Sequence, residues 1–236
     1  MISKYELNAR IYPTLITLSP ILLLAIYFSI DYQNIYSLIG GLGLTTILGF
    51  ILGQIGRDQG KKGEKKLWKE WGGAPSTQIL RYSDDTLDKH TTSNIHSTLF
   101  NLTNIGSPNM REIENLDPKN SDEVYSSWAN YLRGKTRDTS RYKLLFQENI
   151  NYGFRRNLWG LKKPALWILS IIVATIAFFE YIKFANNNPI STNTIITMGL
   201  VILLILFWVV LVKKSWIKMV AFAYAERLVE SCENLE

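Results

Sequence analysis

The chain has 236 residues, of which 47% are hydrophobic and 19% charged, with a formal net charge of +6 and one cysteine. A single cysteine, Cys232, excludes an intrachain disulfide framework and a cysteine-based metal site within one chain. Mean hydropathy is only +0.03, yet the apolar residues are gathered into blocks between basic stretches. That clustering points to a membrane protein, not to an evenly patterned soluble domain.

Four uncharged or nearly uncharged stretches stand out: Tyr12 to Ile30, Ile35 to Ile55, Ala165 to Phe184 and Ile195 to Val212. About 20 residues at about 1.5 Å each cross a hydrocarbon core about 30 Å thick, so each stretch is expected to be a transmembrane helix. The rival reading of the first, a cleaved signal peptide, is disfavoured: no small-x-small site follows, and the next apolar run begins within about five residues. Lys4 and Arg10 precede the first span, most basic residues lie in the central region, and Lys213, Lys214 and Lys218 follow the last span. The hairpin tips Asp31 to Asn34 and Ala185 to Thr194 carry no Lys or Arg. Both termini and the central region are therefore expected on the cytoplasmic side of the membrane, and the hairpin tips outside.

Within the first span Pro20 frees a backbone carbonyl and is expected to kink the helix, as a gate or as a static bend that neighbouring helices accommodate. In the second, Thr45, Gly49 and Gly53 recur every fourth residue, so small side chains line one face where another helix can approach closely. These four residues are the candidate helix-packing or pore positions. Glu180 and Lys183 sit three apart near the outer end of the third span, a spacing at which they are expected to pair and snorkel.

The second span passes without a proline into GRDQGKKGEKKLWKEW, so its helix is expected to continue to the Gly72-Gly73 pair. From about Ser83, Leu87, Ile95, Leu99 and Leu102 follow helical spacing. Ser121 is expected to cap a helix with Val124, Trp128, Tyr131 and Leu132 on one face. Another helix is expected from about Thr139 to Gly160, with Gly153 as a candidate break. No helix stop follows Val212, and Ile217, Val220, Tyr224, Leu228 and Ser231 continue as a narrow seam suited to self-association or to packing on the chain's own domain. The expected fold is all-α: transmembrane hairpins at 1–55 and 165–212, an inserted cytoplasmic helical domain at 56–164, and a C-terminal helix at 213–236.

The chemistry of an enzyme is not indicated. His90 and His96 are six apart and would not share a helix face, no HExxH or nucleophile elbow is present, and GRDQGKKG lacks the GxxxxGK[ST] pattern. No catalytic residue, metal ligand or cofactor is expected. The strongest polar signal is the run of Arg133, Lys135, Arg137, Arg141, Lys143, Arg155, Arg156, Lys162 and Lys163, interleaved with Tyr142, Phe146, Tyr152, Phe154 and Trp159. Cations that track phosphates beside aromatic faces that stack on bases suit a nucleotide or oligonucleotide ligand. The same cations beside a bilayer suit anionic lipid headgroups, with the aromatics serving as core or interface belt. Arg137, Arg141, Lys143, Tyr152, Phe154, Arg155 and Arg156 are the candidate ligand-binding residues.

Two strings, RDQGKKGEKKLWKEWGGAPSTQILR and TRDTSRYKLLFQENINYGFRRNLWGLK, resemble the RDxGK...LWxxWGGxPT...LR and TRD...LLFxENxxYGFRRN blocks of a bacterial membrane-protein family. That family is similar to the membrane effectors of nucleotide-signalling anti-phage systems of the Hailong type. The block residues here are Arg57, Asp58, Gly60, Lys61, Trp71, Gly72, Gly73, Arg81, Arg137, Asp138, Glu148, Asn149, Tyr152, Gly153, Phe154, Arg155, Arg156 and Asn157, with Ser76 where the pattern has Thr. The resemblance implies an oligomeric, channel-like effector partnered by a nucleotidyltransferase, whose oligodeoxyadenylate product holds the effector closed until infection removes it. The resulting expectation is a homo-oligomeric pore, a tetramer, contacting anionic lipids, whose opening depolarises the membrane in abortive infection. The contrasting expectation is a membrane-anchored scaffold that recruits a partner and conducts nothing.

Overall fold

The computed structural model describes residues 3–235, and among them the regular structure is all helical. The helices are α1 (Lys4–Asp31), α2 (Tyr36–Trp71), α3 (Pro75–Ile79), α4 (Lys89–Thr103), α5 (Met110–Leu116), α6 (Pro118–Lys135), α7 (Lys143–Gly160), α8 (Lys162–Ala185), α9 (Thr192–Leu211) and α10 (Lys214–Glu230), with a closing 3₁₀ turn at Ser231–Asn234. Helices α1, α2, α8 and α9 are the four long and apolar enough to cross a membrane. The chain divides into two compact units, one of Met1–Gly63 with Gly153–Ile217, the other of Glu64–Tyr152 with Lys218–Glu236. The C-terminal stretch from Lys218 therefore belongs with the central region.

In the first unit Leu18, Tyr27, Leu158, Leu161, Leu169, Ile172, Val201 and Trp208 form a buried core. Large apolar side chains also point outward, among them Phe50, Trp167, Ile171, Phe178, Ile195 and Leu203. Water would penalise so much contiguous apolar surface, whereas lipid would not.

Helix α1 carries two prolines, and each opens a carbonyl one turn back. Pro13 has no N–H for the Ala9 carbonyl, the backbone loosens into a π turn at Leu7–Ile11, and Asn157 Nδ2 donates to that oxygen at 2.6 Å. Pro20 likewise frees the Ile16 carbonyl, which accepts from Ser19 Oγ at 2.9 Å. The donor at Pro20 thus comes from within the helix, and α1 continues to Asp31.

The expected continuous helix through Val212 is interrupted. Helix α9 ends in a π turn at Phe207–Leu211, and α10 starts afresh at Lys214. Lys162 Nζ, at the start of α8, donates to the Val212 carbonyl at 2.8 Å and so holds the break. A cation on the terminal carbonyls of a helix also complements its dipole.

In the second unit the end of α2 turns through Gly72 (φ +93°) and Gly73 (φ +137°), backbone conformations that favour glycine. The core of this unit joins Ile79, Leu80, Ile95, Leu99, Met110, Trp128 and Leu132 to Ala225, Leu228 and Val229 of α10. Of the seam residues, Leu228 is buried in this core and Tyr224 packs against it, so this part of the tail packs on its own unit, while Met219 stays exposed. Local helix starts differ from expectation. Asp88 caps α4 by accepting from the His90 and Thr91 amides, so that helix begins at Lys89 and Ser83 lies outside it. Asp117, not Ser121, caps α6, because Pro118 suits the first helical position; Ser121 is buried and donates to the Pro118 carbonyl at 2.9 Å. Helix α7 begins at Lys143, not Thr139, and runs unbroken through Gly153.

His96 is 4% exposed, with Nε2 2.7 Å from the Leu80 carbonyl and its ring among Tyr82, Tyr125 and Trp128. Burial holds its pKa below the ordinary histidine value, more than the Leu80 hydrogen bond raises it. Burial also pushes the Glu114 carboxyl up, but the Tyr125 hydroxyl at 2.7 Å and the Tyr82 and Ser83 amides outweigh this and hold it below the usual range. The Cys232 thiol is buried and raised to about 11, so it is a core group and not a reactive one.

Candidate functional site

The candidate ligand residues begin at a turn. Asp138 accepts from Ser140 Oγ at 2.5 Å and from the Ser140 and Arg141 amides at 2.8 and 3.2 Å, and the Ser140 hydroxyl foremost holds its carboxyl below the usual range. This turn leads into α7 and aims Arg141 back at the C-terminal 3₁₀ turn, where its Nη2 donates to the Asn234 carbonyl at 2.6 Å. Tyr142 OH shares that carbonyl at 3.2 Å.

A pocket of about 240 Å³ opens beside them, lined by Arg141, Lys143, Arg227, Glu230 and Ser231 among others. Arg227 is paired with Glu230 at 2.6 Å, so three cations face one carboxylate. Lys143, Leu144 and Leu145, the first residues of the 18-residue helix α7, line the pocket as well. This is a small anion-favouring concavity in the second unit, the size of a phosphate-bearing group, not of a whole oligonucleotide.

The remaining candidates are placed elsewhere. Arg137 is exposed outside that lining. Tyr152 is 7% exposed; its hydroxyl donates to Glu64, and its ring stacks on Tyr224 with centroids 6.2 Å apart. Phe154, Arg155 and Arg156 belong to the first unit. There Arg155 lies over the Trp216 ring at 4.6 Å and donates to the Trp216 carbonyl at 3.0 Å, while Phe154 meets the same ring edge-on. Arg156 is 8% exposed and its Nε donates to Asn157 Oδ1 at 3.3 Å. Neither unit holds all seven, and the aromatic faces named here are occupied by the chain's own side chains.

The candidate packing residues have a definite partner. A Cβ on Gly49 would lie 3.7 Å from Leu18 and one on Gly53 3.6 Å from Thr14 Oγ1, so this face of α2 rests on α1 of the same chain. Thr45 is half-buried and donates to the Leu42 carbonyl; Pro20 is buried. The glycine face extends further than the sequence reading took it. Gly56 meets Leu161, Gly60 meets the Arg156 carbonyl and Asn157, and Gly63 meets Trp159; a Cβ on Gly160 would come within 2.7 Å of the Gly56 carbonyl. Steps of four and three from Gly49 to Gly63 keep these positions on one stripe, and at Gly160 the backbones of α2 and α7 come so close that an added Cβ would meet the Gly60 amide nitrogen at 2.7 Å. The RDQGKKG and YGFRRNLWG strings meet at this crossing.

The feature that residue reading missed is a polar cluster joining α1, α8 and α9. Lys183 Nζ lies 2.5 Å from Asp31 Oδ2 and 2.8 Å from Glu180 Oε1. Tyr27 OH donates to Glu180 at 2.6 Å, Ser191 Oγ and Asn193 Nδ2 donate to Asp31 at 2.7 Å each, and Thr194 Oγ1 donates to Glu180 at 3.0 Å. The Glu180–Lys183 pair is as expected from their spacing. Asp31 went unassigned because it was counted with the hairpin tip; the signal was its place one residue beyond an apolar run, opposite a STNT start to the last span.

Among the described residues the arrangement is all helical, with four helices long and apolar enough to cross a membrane. Comparison of the chain with protein-family models, curated proteins and solved structures finds no match in any of the three.

Proposed function

We propose that the chain is a membrane effector of nucleotide-signalling anti-phage defence of the Hailong type: several copies surround a pore, and a nucleotide or oligonucleotide at the second unit controls it. The observation that carries the reading is the cation-rich pocket of Arg141, Lys143 and Arg227, in the unit that interrupts four candidate spans. The two sequence blocks support it, because both run along the helices α2 and α7. The positive charge of the central region favours its cytoplasmic placement, where such a ligand is made. Ligand phosphate on the pocket engages the start of α7, and α7 in turn meets α2 at Gly60 and Gly160.

The test is membrane-potential dye uptake in bacteria expressing the full chain, together with binding of a labelled oligodeoxyadenylate to the purified protein. Arg141→Glu with Lys143→Glu weakens binding at least tenfold and changes the potential of expressing cells. Unaltered binding in that variant, or a potential indifferent to expression of every form, overturns the reading. A second reading, a membrane-anchored scaffold that conducts nothing, is supported by the burial of Leu228 in the core of its own unit, which removes that seam residue from any interface between copies. A monodisperse single-chain particle in detergent decides for the scaffold.

A further inference from the structure

Helices α1 and α2 enclose a groove of about 520 Å³ within the first unit, lined by Glu6, Arg10, Leu15, Gly49, Phe50 and Gln54 among others. Its ends differ in chemistry. Gly53 faces Thr14 and Gly49 faces Leu18, so the helices run antiparallel here, with Glu6, Arg10 and Gln54 at one end and Leu15, Gly49 and Phe50 at the other. The missing side chains of Gly49 and Gly53 make the floor, and the exposed rings and methyls of Phe50 and Leu15 make the apolar walls. At the polar end Arg10 Nη1 lies 3.3 Å from Glu6 Oε1, and both side chains keep a third or more of their surface open. Both belong to a helix long and apolar enough to span a bilayer, near its end, where headgroups lie.

We propose that this groove binds one phospholipid with a zwitterionic phosphoethanolamine headgroup. Arg10 and Gln54 take the phosphate oxygens, Glu6 takes the ammonium, and the beginning of an acyl chain lies along Gly49, Phe50 and Leu15. The volume falls within the range of about 300–1,000 Å³ of small-molecule sites, and basic residues at span ends are recognised headgroup ligands. The carboxylate sets the choice of lipid. A headgroup with phosphate and no cation leaves Glu6 facing a second negative charge, whereas the zwitterion matches the adjacent cation and anion. The site requires only that α1 and α2 lie in a bilayer, and it is independent of whether the chain conducts or binds nucleotide.

The experiment is native mass spectrometry of the full-length protein in mild detergent, with equimolar phosphatidylethanolamine and phosphatidylglycerol of identical acyl chains. The wild type retains one phosphatidylethanolamine in several-fold preference. Glu6→Gln, which keeps an acceptor for the Ser3 cap and frees Arg10 of its counter-charge, reverses the preference toward phosphatidylglycerol. Leu15→Trp, at an already exposed position, fills the groove and reduces retention of both; Gly53→Leu does the same if it folds. Equal retention of the two lipids by the wild type, a preference unchanged in Glu6→Gln, or retention unaffected by Leu15→Trp overturns the proposal.

Discussion

Lys183 bonds to Asp31, 152 residues away in the chain, and in doing so ties the end of α8 to the end of α1. The two side chains are 16% and 3% exposed, and the same ammonium also serves Glu180 and lies over the rings of Tyr27 and Tyr32. One cation thus compensates two carboxylates.

That asymmetry predicts unequal losses. Lys183→Met leaves two carboxylates with neutral donors but no cation, and is expected to cost up to about 3 kcal/mol. Asp31→Asn keeps the Glu180 partner and exchanges charged for neutral hydrogen bonds, at about 1–2 kcal/mol. Thermal unfolding of the full chain in detergent checks the order, and the triple neutral variant Asp31→Asn, Glu180→Gln, Lys183→Met is expected to lie above Lys183→Met alone.

Gly160 and Gly199 make a controlled pair. A Cβ at Gly160 meets backbone at 2.7 Å, whereas one at Gly199 meets nothing within 4 Å. Gly160→Ala is therefore expected to lower stability by about 1–3 kcal/mol through overpacking, and Gly199→Ala to leave it unchanged or raise it by up to about 1 kcal/mol. Melting temperatures of the two variants give the comparison directly.

Asn157 and Pro13 are coupled through a carbonyl neither owns. Asn157→Ala leaves the Ala9 oxygen without its donor and is expected to cost about 1–3 kcal/mol. Pro13→Ala restores an N–H one turn on, so the double variant is expected to recover part of that loss. A double-mutant cycle reads the interaction, and strict additivity would refute it.

His96 and Glu114 set the acid response of the second unit. The folded pKa of His96 lies below its unfolded value of about 6.5, so below that pH the unfolded chain binds the extra proton and stability falls. Glu114 is also depressed, so its contribution is present above about pH 4.5 and is lost as pH falls toward its folded value. Denaturation of the full chain between pH 8 and about pH 2 is expected to show both losses. His96→Gln removes the upper step, and a profile unchanged by that substitution counts against it.

The apolar blocks, the basic central region and the Gly72-Gly73 stop were legible in the chain because each depends on local composition: length of an apolar run, charge, and backbone freedom at a turn. The four helices fit to cross a membrane fall where those blocks lie. Helix starts were read less well: Asp117 took the cap expected of Ser121, because Pro118 suits the first helical position, and Asp88 capped α4 several residues beyond Ser83.

What the chain alone could not reveal is which distant groups meet. Asp31 read as a loop residue because its partner Lys183 is reached only after α8 has packed against α1. Gly56, Gly60 and Gly63 read as part of a charged string, and became a contact face only when α7 set Leu161, Asn157 and Trp159 against them. Hydrophobic length is a property of sequence neighbours and so is written locally. Pairing of buried polar groups is enforced by the cost of leaving them unpaired, and that cost is decided only once the helices are side by side.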